Sequence, residues 1–388
     1  MKIAFIGQKG IPSISGGIEK HVEDLAVSLA QRGHEIIVYT RPNYTDKNLK
    51  DYKGVRLISL PSIVTKNLDA ISHTFFAVLD LIRRDVDIVH FHAIGPSSLI
   101  WLAKILKPRA KVVATFHCQD YFHQKWSLFA RLYLRFGEYV ACTAANRTIA
   151  VSKTLSQYVA MVYGREAIYI PNGVNEMIKE EPEMIKQFGL LKNNYILAVS
   201  RLVRHKGLHH LIKAFRNVKT DKKLVIVGDG AFTDEYVNEL KTLAKDDARI
   251  IFTGAQKGQA LAELFSNATL FVQPSESEGL SIALLEAMAY GNAALVSDIP
   301  ENKEAIGDRG FTFVNKSVED LTNKLTELLS NEALVVSVAE KAKARMIKEY
   351  NWKNIADNTE MVYGELLAES LAERLERRKA LSNISTFI

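Results

Sequence analysis

The chain has 388 residues, 47% of them hydrophobic and 24% charged, the balance of a soluble globular protein that is too long for one ordinary core. No apolar run reaches the roughly 18 residues of a membrane-crossing helix, and two cysteines, Cys118 and Cys142, exclude a disulfide framework and a four-cysteine zinc site. The net charge of +6 is uneven: residues 1–170 hold 22 Lys+Arg against 13 Asp+Glu, and the remainder is slightly acidic. A basic first half suits an anionic partner (a lipid surface, a phosphorylated substrate, nucleic acid), and ordinary surface variation produces an excess of the same size. The opening MKIAFIGQKG lacks the long apolar core and cleavage site of a signal peptide, so a reducing, cytoplasmic location is expected.

In chain order, KIAFIG (2–7) reads as a buried strand, 16–32 as an amphipathic helix, and EIIVYT (35–40), VRLISL (55–60), DIVHFH (87–92), KVVATF (111–116) and RTIAVS (147–152) as further strands. IPNGVN (170–175) is turn-rich and a charged stretch follows it. The alternation then restarts with YILAVS (195–200), KLVIVGDG (223–230), RIIFTG (249–254), TLFVQP (269–274), AALVSD (293–298) and FTFV (311–314), and the chain becomes helical from about 317. Strands alternating with helices predict an α/β fold with two doubly wound parallel sheets. The expected division is a domain over 1–170, a linker over 171–190, a second domain over 191–350 and a charged helical segment over 351–388 that packs on the body or mediates oligomer contacts. Ligands of such sheets sit at the carboxyl ends of the strands, where all the candidate motifs fall.

The first strand ends in GQKGIPSISGGIEK. Its glycines, Gly16 and Gly17 among them, let backbone N–H groups approach a phosphate at a helix start, although the spacing is not GxGxxG and a plain connecting loop reads the same way. His117, at the end of KVVATF, can position a hydroxyl or exchange a proton, or can be a hydrogen-bonded core residue; His90 and His92 have weaker claims, and these histidines lack a clear metal-ligand set. In SRLVRHKG (200–207), Arg201 and Lys206 flank a loop that opens a helix, a suitable clamp for a diphosphate, or else are solvated cations. SESEGLSIALLEAMAYG (275–291) places Glu278 before a helix expected to begin at Gly279, Leu280 and Ser281. Glu286 follows among apolar neighbours, where an ionised carboxylate needs donors; a ribose diol would supply them, as would solvent or a nearby arginine.

Together with PNGV (171–174) and GDG (228–230), these motifs resemble the retaining GT-B glycosyltransferases of family 4, also called group 1, over nearly the whole chain; SRL…KG with the E-x7-E spacing of Glu278 and Glu286 is the most specific part. The resemblance implies two Rossmann-like domains facing a central cleft and transfer of a sugar from a nucleotide-diphospho-sugar to an acceptor hydroxyl with retention of configuration. It assigns Arg201 and Lys206 to the diphosphate, Glu286 to the ribose, Glu278 to the donor sugar beside the backbone of Gly279, Leu280 and Ser281, and the base to Ala255 and Gln256. His117 would lie near the transferred sugar and Gly16–Gly17 beside the diphosphate and acceptor; the catalytic set is then His117, Glu278, Arg201 and Lys206. Neither a metal nor another cofactor is expected, the donor being a substrate. The family's usual residue after the histidine is absent here, where Cys118 and Gln119 separate His117 from Asp120, which puts a role for Asp120 in doubt.

The stretch 123–139 interleaves Trp126, Phe129, Leu132, Tyr133 and Phe136 with Lys125, Arg131 and Arg135, the pattern of a basic helix lying on an anionic membrane or of a core helix with snorkelling cations. The expected partners are a nucleotide-sugar, a saccharide or lipid-linked saccharide acceptor in surface polysaccharide or glycolipid assembly, and the inner face of a membrane; nucleic acid is not expected. The rival expectations are a nucleotide-sugar epimerase of the same fold, which forms product without an acceptor, and a non-catalytic scaffold that binds donor without turnover.

Overall fold

The computed structural model describes residues 1–122, 126–230 and 233–385. Strands β1 (Lys2–Ile6), β2 (Glu35–Thr40), β3 (Asp51–Tyr52), β4 (Val55–Ser59), β5 (Ile88–His92), β6 (Lys111–Phe116), β7 (Arg147–Ala150) and β8 (Ala167–Tyr169) form one sheet in the order β3-β4-β2-β1-β5-β6-β7-β8. All pairs are parallel except β3 with β4, a short antiparallel edge. Strands β9 (Tyr195–Val199), β10 (Lys223–Val227), β11 (Ile250–Gly254), β12 (Leu270–Gln273), β13 (Ala294–Ser297) and β14 (Phe311–Phe313) form a second, parallel sheet in the order β11-β10-β9-β12-β13-β14. The near-continuous Val, Ile and Phe of β1, β5, β6, β10 and β12 fit strands covered on both faces, and most of these residues are buried.

The covering helices are α1 (Gly17–Gln31), α2 (Asp69–Asp80), α3 (Ile94–Ser97), α4 (Ile100–Leu106), α5 (Leu128–Thr143) and α6 (Lys153–Tyr163) on the first sheet. The second carries α7 (Leu208–Arg216), α8 (Asp234–Ala244), α9 (Gly258–Ser266), α10 (Ile282–Ala289), α11 (Pro300–Ile306), α12 (Val318–Leu329) and α13 (Glu332–Glu349). Strand order reverses at β1/β5 in one sheet and at β9/β12 in the other. Loops leaving the carboxyl ends of those strands diverge there and open a crevice, which is where ligands of doubly wound sheets bind.

Residues 171–190 run between the sheets, and their second half is fastened to the second one: the buried carboxylate of Glu263 accepts from the N–H groups of Glu183, Met184 and Ile185 at 2.6–3.2 Å. The chain crosses back beside this segment. Val174 N–H donates to the Tyr350 carbonyl at 2.7 Å, and a Cβ on Gly173 would overlap the Trp352 indole. The last helix, α14 (Trp352–Ser385), thus returns to the first domain. Its Ile355, Ala356, Val362, Tyr363 and Leu366 bury against Val22, Leu25, Ala26 and Leu29 of α1, the stripe that helical spacing put on one face. Arg32 secures the contact, donating to Asp357 at 2.5 Å and to Glu360 at 2.9 Å.

Candidate functional site

Three glycines at the cleft have no room for a side chain. Gly207 (φ 68°) closes the turn after β9, and a Cβ there would strike the Pro274 carbonyl; Gly228 (φ 137°) lies as close to the Ser200 carbonyl. A Cβ on Gly279 would overlap the carbonyl oxygen of His117, so the backbone of the second domain lies directly against the strand end of the first. The helix expected from Gly279 begins at Ile282 instead. The reason is local: Ser281 is its N-cap, with Oγ accepting from Leu284 N–H at 3.4 Å and donating to Gln273 at 2.6 Å. Gly279 and Leu280 are therefore a turn ahead of the helix. Leu280 is held by its carbonyl, which accepts from Asn172 Nδ2 at 2.6 Å.

At this mouth Lys206 Nζ donates to Glu278 at 2.6 Å, the two side chains 15% and 8% exposed, so the pair is largely out of water and its geometry is fixed. Arg201, half-buried on the same loop, has no ion-pair partner among the described residues. Together with the open N-terminal turn of α10 it leaves unsatisfied positive character facing the cleft. Glu286 sits on α10 with Leu284, Leu285, Ala287 and Met288 buried around it. Burial pushes its carboxyl up to about 7; Lys20 of α1 pulls it back down, and Asp24 adds to the rise. Two residues of the first domain thus act electrostatically on a carboxylate of the second. Ala255 and Gln256 stand farther along the same edge, after β11, where Ala255 N–H donates to Asp229 at 3.1 Å and Gln256 to the Thr253 carbonyl at 2.7 Å.

Across the cleft, Gly17 is exposed and faces the Ile282 side chain. The preceding loop fits a plain connection better than a phosphate cradle, because four of its N–H donors are already used. Lys9 N–H goes to Glu19, Ser13 N–H to Glu23, and the N–H groups of Ile14 and Ser15 both go to the Tyr44 hydroxyl, at 2.7–3.0 Å. The two α1 carboxylates that hold it, Glu19 and Glu23, also oppose an anion. Gly16 and Gly17 remain as the rim that faces the second domain.

His117 is 6% exposed and pairs with His92, Nε2 to Nδ1 at 3.1 Å. The ring of His21 stands edge-on to His117, with centroids 4.9 Å apart. Burial holds His117 and His92 well below the usual imidazole range, and His21 at about 4, so all three are neutral. His90 is a satisfied core residue, bonded to Tyr363 at 2.6 Å and Thr115 at 2.7 Å. Cys118 donates to Asp120 at 3.1 Å, and burial pushes its thiol well up, so it is no nucleophile. Sequence reasoning passed over His21, Lys20 and Asp24, and gave Asn172 no role beyond its place in PNGV. For His21 a signal existed, since it falls on the same face of α1 as Leu25 and Leu29 and so had to be buried.

Of the stretch 123–139, His123, Gln124 and Lys125 lie outside the described residues. From α5 onward the apolar residues divide. Leu128 (75%) and Phe129 (81%) project into solvent with Leu132, Phe136 and Tyr139, while Leu134, Val140 and Ala141 face the core. Exposed Trp101 and Ile105 of α4, and Phe75, Phe76 and Leu79 of α2, lie on adjoining helices, with Arg83, Lys104 and Arg135 exposed among them. No helix among the described residues is long and apolar enough to cross a membrane.

Two parallel-sheet domains with strand-end motifs meeting across a crevice define the GT-B class of glycosyltransferase. Residues 15–176 match the model of the Glycosyltransferase Family 4 domain and residues 180–348 that of Glycosyl transferases group 1, and the chain belongs to this family. It is 27% identical to an uncharacterized glycosyltransferase of Methanocaldococcus jannaschii, covering 94% of this chain and 98% of the relative. It is 26% identical to the N-acetyl-alpha-D-glucosaminyl L-malate synthase of Bacillus anthracis, over 94% and 97%. In fold it is similar to Anabaena HepE in complex with UDP and glucose, with a TM-score of 0.79, 21% identity, and coverage of 94% of this chain and all of the other.

Proposed function

We propose that this glycosyltransferase takes its sugar from a nucleotide-diphospho-sugar and transfers it, with retention of anomeric configuration, to the hydroxyl of a saccharide or lipid-linked saccharide in surface polysaccharide or glycolipid assembly. The observation that carries the reading is the convergence of Arg201, the Lys206–Glu278 pair and Glu286 at the switch point of the second sheet. Arg201, Lys206 and the N-terminus of α10 offset the negative charge that grows on the leaving diphosphate, so the step needs no metal there. Glu286 accepts from the ribose hydroxyls, Glu278 from those of the sugar, and His117 orients the sugar from the other wall. Ala255 and Gln256 border the base. The bond from the anomeric carbon to the β-phosphate oxygen breaks, the bond to the acceptor oxygen forms on the same face, and the acceptor proton leaves with the nucleoside diphosphate. The bound complexes of similar proteins support the donor class.

The exposed apolar residues of α2, α4 and α5, ringed by arginine and lysine, fit the headgroup region of an anionic membrane on its inner face, where a lipid-linked acceptor would be met. The test of the reaction is proton NMR of the product formed from an α-linked donor and an acceptor pool. An α-linked product supports the reading. An inverted product, or product formed from donor without acceptor, refutes it.

A further inference from the structure

His21, His92 and His117 come from α1, the end of β5 and the loop after β6, and are brought together only by the fold. One nitrogen from each lies within 4.8 Å of the others, and all three side chains are buried. The protonation of His21 follows from its neighbours. Asn172 Nδ2 donates to the Leu280 carbonyl, so its Oδ1 faces His21 and accepts from Nδ1–H at 3.0 Å. A neutral imidazole with its proton on Nδ1 presents a bare lone pair on Nε2. That atom is buried without a hydrogen-bond partner. Orphaned buried polar atoms are costly, so the cluster is incomplete as it stands.

We propose that these three histidines bind one borderline divalent ion of the Zn²⁺ type. A ligating histidine ordinarily donates its other ring N–H to an oxygen that fixes its tautomer, and Asn172 does this for His21. The 3.1 Å between His92 Nδ1 and His117 Nε2 fits a hydrogen bond and is also close to the roughly 3.3 Å nitrogen–nitrogen edge of a tetrahedral site with zinc bonds near 2 Å. A shift of proton to the other ring nitrogen frees the lone pair on whichever ring now donates, and side-chain rotation closes the wider edges. Three neutral nitrogens with no carboxylate select zinc, cobalt or copper over Mg²⁺ and Ca²⁺, and a water completes the set on the cleft side, where His117 is the most exposed of the three. His90 stays outside the site because both its nitrogens are engaged. The site shares His117 with the sugar wall of the proposed donor site but takes nothing from the diphosphate clamp, and metal binding is read without donor.

The test uses the full chain without a histidine tag, stripped of metal and titrated with Co²⁺ as a visible stand-in, then with Zn²⁺ against a chromophoric chelator. The expected result is one equivalent of tightly bound ion, with the d–d bands of four-coordinate cobalt, undiminished by excess Mg²⁺. His21→Asn and His92→Asn should each weaken binding by more than the 10–100-fold that loss of an outer-shell partner costs. His209→Asn is the control. It disrupts the only other such cluster among the described residues, His209, His210 and Glu276, where Lys316 lies 3.1 Å from the carboxylate. Absence of cobalt bands in the wild-type chain overturns the proposal without any variant. So does binding that survives both His21→Asn and His92→Asn, or that is lost in His209→Asn.

Discussion

Replacing Glu286 by glutamine keeps the shape of the side chain and removes its charge, and the two proteins should differ in a way that depends on pH. Burial raises the carboxyl from an ordinary 4.5 to about 7. Between those values the folded protein holds a proton that the unfolded chain has released. This contribution to folding therefore weakens as pH rises from about 4.5 to 7, and Glu286→Gln should remove that slope. Donor binding runs in the opposite direction. Only the carboxylate accepts two ribose hydroxyls, so its affinity is lost as the site protonates. With the carboxyl at about 7, the dissociation constant should worsen about tenfold, or about 1.4 kcal/mol, from pH 8 to pH 6. Hydrogen bonds to a charged group contribute about 1.5–3 kcal/mol, so Glu286→Gln should weaken binding on the order of 10–100-fold at pH 8 and flatten the profile. Isothermal titration with an intact nucleotide-sugar, whose diphosphate diester does not titrate in this range, reads both quantities. A flat wild-type profile, or the same slope in the glutamine variant, would refute the ribose assignment.

Gly279→Ala puts a methyl group onto the His117 carbonyl, a backbone atom that cannot swing away. Overpacking of this kind costs about 1–3 kcal/mol, to be seen as a lower melting temperature together with a fall in kcat. Tyr363→Phe leaves His90 Nδ1 without its buried partner and should cost about 1–3 kcal/mol in denaturant unfolding while transfer persists. The double variant Leu128→Glu/Phe129→Glu should abolish sedimentation with anionic vesicles and leave the melting temperature unchanged, since both side chains project into solvent. Unchanged sedimentation would place the membrane surface elsewhere.

Much of the fold was legible because both sheets are parallel apart from the short β3 edge. Parallel strands are apolar on both faces, so KVVATF and EIIVYT stand out, and their bounds agree with β6 and β2. The strands that sequence reading passed over are edges. β3 has two residues, and β8, inside EAIYIP, is too short to show a period. Glu278, Lys206 and Arg201 could be found because a strand-end loop declares its chemistry in consecutive residues. The histidine cluster could not, because His21, His92 and His117 are far apart in the chain and meet only through the order β1-β5-β6 and the packing of α1. The electrostatic reach of Lys20 and Asp24 to Glu286 was hidden for the same reason, since it spans two domains. The glycine loop left two readings open, a phosphate cradle and a plain connection, and its hydrogen bonds favour the second, since Glu19, Glu23 and Tyr44 take up four of its N–H groups.

The central claim is that the second domain holds a nucleotide-diphospho-sugar through Arg201, Lys206, Glu278 and Glu286. Its most direct test is a thermal-shift series with UDP-, GDP-, ADP- and dTDP-sugars, in chelator, on the wild-type chain and on Lys206→Ala. One donor class should stabilise the wild type, by about 2.7 kcal/mol at a hundredfold excess over its dissociation constant, and Lys206→Ala should lose most of that gain. No shift with any donor, or a shift that Lys206→Ala leaves intact, would contradict the assignment of this site.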